Sequence, residues 1–148
     1  MNLGSYEIKK KDPWKSASEY SKDLSGLTIN LLVEDIKRSI YFFQKIIKAK
    51  IIYQDPDFAA IEGFGSRWCI HSYHTYDSHP YINIIKSSKP KGLGIELRVI
   101  GCDPDKAEER ARKESYMILS TSTDKAHGMR ECYIVDHDGF CWVPCKKI

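Results

Sequence analysis

The chain of 148 residues carries five histidines and five cysteines, the side chains that most often ligate metals or act as nucleophiles. Their spacing decides which chemistry is open to them. His71 and His74 are three apart in a stretch of strand composition, so alternation points them to opposite faces. Cys141 and Cys145 share a face but sit about 13 Å apart along an extended strand at roughly 3.3 Å per residue, too far to grip one ion. His79, His127 and His137 fall in loop-like stretches, where hydrogen-bonded or solvent-facing imidazoles are the plain reading and a nonstandard metal site the rival one. No nucleophile motif surrounds any cysteine. Cys69, Cys132 and Cys141 lie in strand-like runs, where a buried apolar thiol is the common reading, with a Cys–His pair as the rival. No catalytic residue and no metal ligand is assigned from these spacings.

The elements that must position such side chains repeat once. Residues 27–33 are short, apolar and partly β-branched, a strand signature. Asp35 stands where an N-cap belongs, and Ile36, Ile40, Phe43 and Ile47 follow at helical spacing. Residues 50–53, 58–62 and 67–74 read as strands, separated by Asp55-Pro56-Asp57 and Gly63-Phe64-Gly65 turns. A connection over 73–91 follows, rich in Tyr, His, Ser and Pro; Tyr73, His74, Tyr76, His79 and Tyr81 make it either a binding loop or an ordinary linker. The order then recurs: a strand at 94–100, the Asp103-Pro104 helix start, a helix at 107–115, and strands at 116–120, 129–135 and 140–144. Residues 1–25 are polar and lysine-rich with no clean period, an arm that only Trp14 and Tyr20 are suited to pin to the body.

Composition narrows the class. Hydrophobic residues at 42% and charged residues at 29% fit one soluble globular domain. A net charge of +3, not gathered in one block, gives no nucleic-acid footprint, and no apolar run approaches a membrane span. Met1 to Lys11 lack the apolar stretch of a secretory leader, and the odd number of cysteines without framework spacing fits reduced thiols, so a cytoplasmic location is expected.

The most specific stretch is His127-Gly128-Met129-Arg130-Glu131, continuing through Asp136-His137-Asp138-Gly139-Phe140-Cys141. An extended run enters an Asp-x-Asp-Gly turn, where Asp138-Gly139 supplies the positive φ of a tight hairpin, and a second apolar run leaves it. This resembles the C-terminal hairpin of the vicinal oxygen chelate superfamily (glyoxalase/bleomycin-resistance/dioxygenase), usually G-x-R-E-x-x-x-x-D-P-x-G-N, with His137 in place of Pro and Phe140 in place of Asn. Asp35, Ser39, Phe42 and Phe43 are similar to the family's helix start. Residues 57–61 and 70–72 are similar to segments of its metal-free bleomycin-binding branch.

The resemblance spans residues 26–146 and implies an α+β fold of two βαβββ units forming an open curved sheet with a concave cleft: unit one over about 26–76, a linker at 77–91, unit two over about 92–146. Metalloenzymes of this fold hold ligands at positions that here align with Thr28, Gly94 and Val143, none of which chelates in the usual way. The implied protein is metal-free, without a cofactor and without an assigned catalytic role. It is a homodimer that sequesters a drug or aromatic metabolite. Strand alternation assigns the cleft. Thr28, Asn30 and Leu32 face it, with Ile29, Leu31 and Val33 under the helix. Gly94, Glu96 and Arg98 face it, with Ile95, Leu97 and Val99 under the second helix. Cys141, Val143 and Cys145 face it from the last strand. For the fourth strand the preferred register turns Trp68, Ile70, Ser72 and His74 inward; the other would turn Cys69, His71 and Tyr73. Glu96 and Arg98 read either as a solvated ion pair or as groups that orient a polar ligand. Phe58, Trp68 and Trp142 read either as stacking surfaces or as core. The ligand-binding set is thus Asn30, Phe58, Trp68, Ser72, Glu96, Arg98, Cys141 and Val143. Two departures point away from bleomycin itself: the chain is slightly basic where bleomycin binders are acidic, and His127 stands where Trp is usual. The alternatives are a lyase, isomerase or oxygenase of the same fold with an atypical metal site, and an interaction module whose cleft is vestigial.

Overall fold

The structure, a computed structural model, describes Lys15 and residues 17–148. Trp14, with the rest of residues 1–14 and residue 16, lies outside the described residues. A short helix α1 (Ala17–Lys22) precedes two units of the same order. The first is β1 (Asn30–Val33), α2 (Ile36–Phe42), β2 (Lys50–Gln54), β3 (Phe58–Gly63) and β4 (Ser66–Ser72). After α3 (Ile82–Ser87) the second is β5 (Glu96–Ile100), α4 (Pro104–Lys113), β6 (Met117–Lys125), β7 (Met129–Val135) and β8 (Cys141–Lys147). Each unit makes one four-stranded sheet, β1-β4-β3-β2 and β5-β8-β7-β6. The outer pairs β1·β4 and β5·β8 are parallel and the rest antiparallel. The two-unit α+β architecture read from the sequence is the one observed.

Local chemistry starts α2 and α4. The Asp35 carboxylate accepts from the Arg38 N–H at 3.1 Å, and Asp103 accepts from Lys106 N–H at 3.2 Å ahead of Pro104, so α4 begins about one turn earlier than its apolar spacing suggests. The stripe of Ile36, Ile40, Phe43 and Ile47 is buried, and so are Phe42 and Ile46. Residues Phe43–Ile47 are wound as a π-helix, and Ala49 N–H donates back to Phe43 O at 2.9 Å. Carbonyls at this end find partners in the other unit: Ile46 O accepts from Arg110 Nε at 3.0 Å and Nη2 at 2.7 Å. Among described residues no helix is long and apolar enough to cross a membrane.

Several boundaries differ from the sequence reading. The 77–91 linker contains α3, and Lys91 Nζ donates to the carbonyls of Ile85 and Ser88 near its end. Strand β6 runs on to Lys125, because polar Ser and Thr alternate there on a half-exposed edge strand. Ile95 precedes β5 and is 45% exposed, not packed under α4. The β7–β8 connection is a five-residue loop, not a two-residue turn. Asp136 Oδ1 accepts from the N–H of Asp138 and Phe140, each at 3.0 Å, and Oδ2 accepts from Trp142 Nε1 at 2.8 Å. Of the Asp138-Gly139 pair only Gly139 has positive φ, at 91°, and a Cβ there would collide with Pro90.

One apolar core serves both units. Phe43 meets Trp68 edge-on at 5.7 Å and Trp142 at 5.1 Å, while Phe42 meets Tyr116 at 5.0 Å. Trp68 and Trp142 are 6.0 Å apart. Both tryptophans project from the helix-packed sides of their sheets. Those two sides therefore face each other, and the opposite faces of the sheets turn outward.

Two measurements test this account. Phe43→Ala removes a ring 1% exposed at the junction, and urea unfolding is expected to show a loss of about 3–5 kcal/mol. Burial pushes the Asp136 carboxyl up to about 6, although three hydrogen-bond donors favour its anion. A raised folded pKa means that its stabilising contribution is full below 3.8 and declines as pH rises through about 6. Carboxyl-carbon NMR is expected to place its midpoint near 6, and Asp136→Asn to remove that limb from the stability-versus-pH curve.

Candidate functional site

The two outward faces carry different chemistry. On the first sheet, pairing sets Asn30 beside Cys69 and Leu32 beside His71. Phe58 opposes His71 and Ala60 opposes Cys69. The open face therefore bears Asn30, Leu32, Phe58, Arg67, Cys69 and His71. The preferred fourth-strand register is overturned. Trp68, Ile70 and Ser72 lie on the helix-packed side, at 8%, 0% and 6% exposure, in line with Leu31 and Val33. Parallel pairing with β1 forces this, since Leu31 and Val33 must pack under α2. His74 leaves the strand in a 3-10 turn and stacks on Tyr73 at 4.2 Å.

Rings gather on this face. Phe58 lies 4.7 Å from His71 and 6.1 Å from Tyr53, and His71 meets Tyr76 at 5.3 Å. His71 Nδ1 pairs with Asn30 Oδ1 at 2.9 Å, and Cys69 Sγ donates to the same oxygen at 3.4 Å. An amide oxygen only accepts, so the proton sits on Nδ1 and leaves Nε2 as a lone-pair acceptor. Burial holds the His71 pKa below its ordinary value, which keeps that lone pair available at neutral pH. Tyr76 was among the five candidates of the 73–91 connection, whereas Tyr53 was missed as a site residue from sequence; its pairing with Ala60 puts it on the face of Phe58.

The second open face is polar at its centre. Glu96 pairs with Cys141, Arg98 with Val143 and Ile100 with Cys145, so all four predicted residues of this unit share the face. Arg98 is not locked to Glu96, whose carboxylate is 4.0 Å away. Its guanidinium donates instead to Glu131 Oε1, which also accepts from His127 Nε2 at 2.8 Å. Tyr133 O–H donates to Oε2 at 3.3 Å. Glu131 is 1% exposed, and burial would raise its pKa, but the His127 and Arg98 hydrogen bonds outweigh this and hold it below the usual range. Sequence reasoning passed over Glu131 as a hub. The available signal was its alternation with Tyr133 and Val135, which places it opposite Cys145 on the face of Arg98.

The remaining chemistry is quiet. Burial pushes the thiols of Cys69 and Cys102 up to about 11 and that of Cys132 up to about 12, and it raises Cys141 and Cys145 as well. These are protonated thiols at neutral pH, not prepared nucleophiles. Thr28 is exposed ahead of β1, Gly94 is exposed ahead of β5, and Val143 is fully buried in β8. A hydroxyl, a missing side chain and an alkyl group do not fit a divalent metal at those positions. Among described residues no three His, Cys, Asp or Glu side chains are grouped to hold one. A shallow depression of 440 Å³ lined by Glu62 to Arg67 lies at the β3–β4 turn, away from both ring cluster and hub.

The hub makes a testable claim. Glu131→Ala leaves Arg98 and His127 without their shared acceptor, and denaturant unfolding at neutral pH is expected to show a loss of about 1–3 kcal/mol. A depressed folded pKa gives stability present above the unfolded value and lost as pH falls through the folded one, so the gap between wild type and variant should close in acid.

No protein-family model matches the chain, and no curated protein matches it. Solved structures do. A glyoxalase/bleomycin resistance protein/dioxygenase family enzyme from Burkholderia phytofirmans PsJN superposes with a TM-score of 0.67 at 13% identity, covering 82% of this chain and 97% of its own. A glyoxalase-related enzyme from Fulvimarina pelagi gives 0.66 at 14% identity, with 83% and 88% covered. The genomically encoded fosfomycin resistance protein FosX from Listeria monocytogenes gives 0.62 at 18% identity, with 84% and 95% covered. These identities speak for architecture alone: two βαβββ units with open four-stranded sheets give this chain the glyoxalase/bleomycin-resistance fold.

Proposed function

We propose that this chain is a metal-free binding protein that sequesters a small organic molecule, a drug or an aromatic metabolite, in a groove completed by a second copy of itself. The observation that carries the reading is the replacement of donor side chains by Thr28, Gly94 and Val143, on a fold whose neighbouring faces present a ring cluster and an arginine held by a buried acid. A largely apolar groove with few oriented polar groups is what a small ligand needs. Phe58, Tyr53 and Tyr76 supply flat area. Asn30 fixes His71 as an acceptor, and Glu131 fixes the Arg98 guanidinium as a donor. That one structural neighbour is a fosfomycin resistance protein is compatible with a drug-directed role.

A second copy enters through geometry. The open faces of one chain turn away from each other, so neither encloses a ligand alone. Strands β1 and β5 lie at sheet edges, and the apolar residues leading into them, Leu27 and Leu93, are 95% and 79% exposed. Pairing these edges between copies would set the ring-bearing face of one against the Arg98 face of the other.

Native mass spectrometry tests the reading directly. The expected species is a dimer without metal mass, and a co-purified organic adduct would give the ligand class. A stoichiometric metal that leaves on chelation would overturn it in favour of metal-dependent lyase, isomerase or oxygenase chemistry at an atypical site. A monomer would remove the composite groove.

A further inference from the structure

Helix α1 does not lie against the core. Its Tyr20 ring packs edge-on against Phe58 at 6.0 Å, on the open face of the first sheet. The Tyr20 phenol is within electrostatic reach of Cys69 and Arg67, the two β4 residues that flank this spot on the same face. The ring thus lies over two strands of the face, on the cluster formed by Phe58 and His71. The helix is also a self-contained clip. Lys15 pairs with Asp23, and the Asp23 and Leu24 N–H groups close back on Tyr20 and Ser21. Residues 23–29 tether it to β1, and Leu27 and Thr28 in that tether are exposed.

We infer that α1 is an internal occupant of the first open face, with Tyr20 holding the place of a ligand's aryl ring, so that a ligand enters when the helix leaves. This rests on the proposed ligand-binding role of that face and names the ligand class. Tyr20 presents a flat ring to Phe58, and its phenol lies within electrostatic range of Cys69 and Arg67. The matching ligand is an aryl ring bearing a hydroxyl or anionic substituent. The helix is suited to leaving: a six-residue helix has little stability of its own, and the Lys15–Asp23 pair is half exposed and weak. Its departure costs binding energy, and the apparent affinity falls by the fraction of molecules whose face is open.

The test is Tyr20→Ala in the full chain. Cys69 reports on the cover and Cys141, the half-buried thiol on the other open face, is the internal control. Iodoacetamide labelling read by peptide mass mapping is expected to speed up about tenfold at Cys69 and to stay constant at Cys141, and the Kd for anilinonaphthalene sulfonate to fall by about the same factor. Adding Phe58→Ala should abolish the gain in affinity. Unchanged Cys69 labelling would overturn the cover, and faster labelling with unchanged or weaker dye binding would overturn the competition. Cys69 labelling reads the cover whatever the metal content or subunit number, and native mass decides the broader reading separately.

Discussion

Everything in this molecule hangs on the burial of two helix-packed sheet sides in a single aromatic core. Phe43 is the keystone: it touches Trp68 from its own unit and Trp142 from the other. Edge-on ring pairs add about 0.5–1.5 kcal/mol each beyond area burial. Once these sides are joined, the opposite faces have no freedom. They point outward, and whatever chemistry they carry is presented to solvent, to a partner or to the chain's own N-terminal helix. The Arg110 hydrogen bonds to Ile46 O, with the Arg38 guanidinium 2.7 Å from His137 Nδ1, hold the same junction along its edge.

Much of this was legible in the sequence, because it rests on short-range rules. Asp35 and Asp103-Pro104 mark helix starts through the backbone N–H groups they satisfy, and alternation in 96–100 assigns Glu96 and Arg98 to one face. The fourth strand was not legible. Trp68-Ile70-Ser72 and Cys69-His71-Tyr73 are each mixed in polarity, so only pairing with β1, some forty residues earlier in the chain, chooses between them. Glu131 escaped for a related reason. An acid in a strand reads as solvated unless its cation is known, and Arg98 is a distant residue in sequence. Helix α1 gave no periodic signal because six residues with one anchoring ring make no stripe.

Glu131 and Asp136, two carboxylates of the second unit, show how position rather than residue type sets electrostatics. Glu131 faces two cationic partners on an open sheet and stays ionised well into acid. Asp136 faces neutral N–H donors inside a loop, with Asp138 nearby, and holds its proton longer. One is a hub shared by Arg98, His127 and Tyr133. The other is a splint that ties Trp142 in the core to the loop that joins β7 to β8.

The π-wound end of α2 has a bearing on how this chain can change length. Phe42, Phe43, Ile46 and Ile47 are all buried at this end, and the Ile46 carbonyl accepts from Arg110. Removing one residue between 43 and 47 would restore ordinary helical winding, with better backbone geometry locally. Because the wider turn is what absorbs the extra residue, the chain beyond the cut would stay in phase with the core, and the cost would fall on the bonds from Arg110 to the Ile46 carbonyl. The turn at 63–65 is less tolerant: Phe64 and Gly65 both take positive φ there, and a change in count would slip β3 against β4.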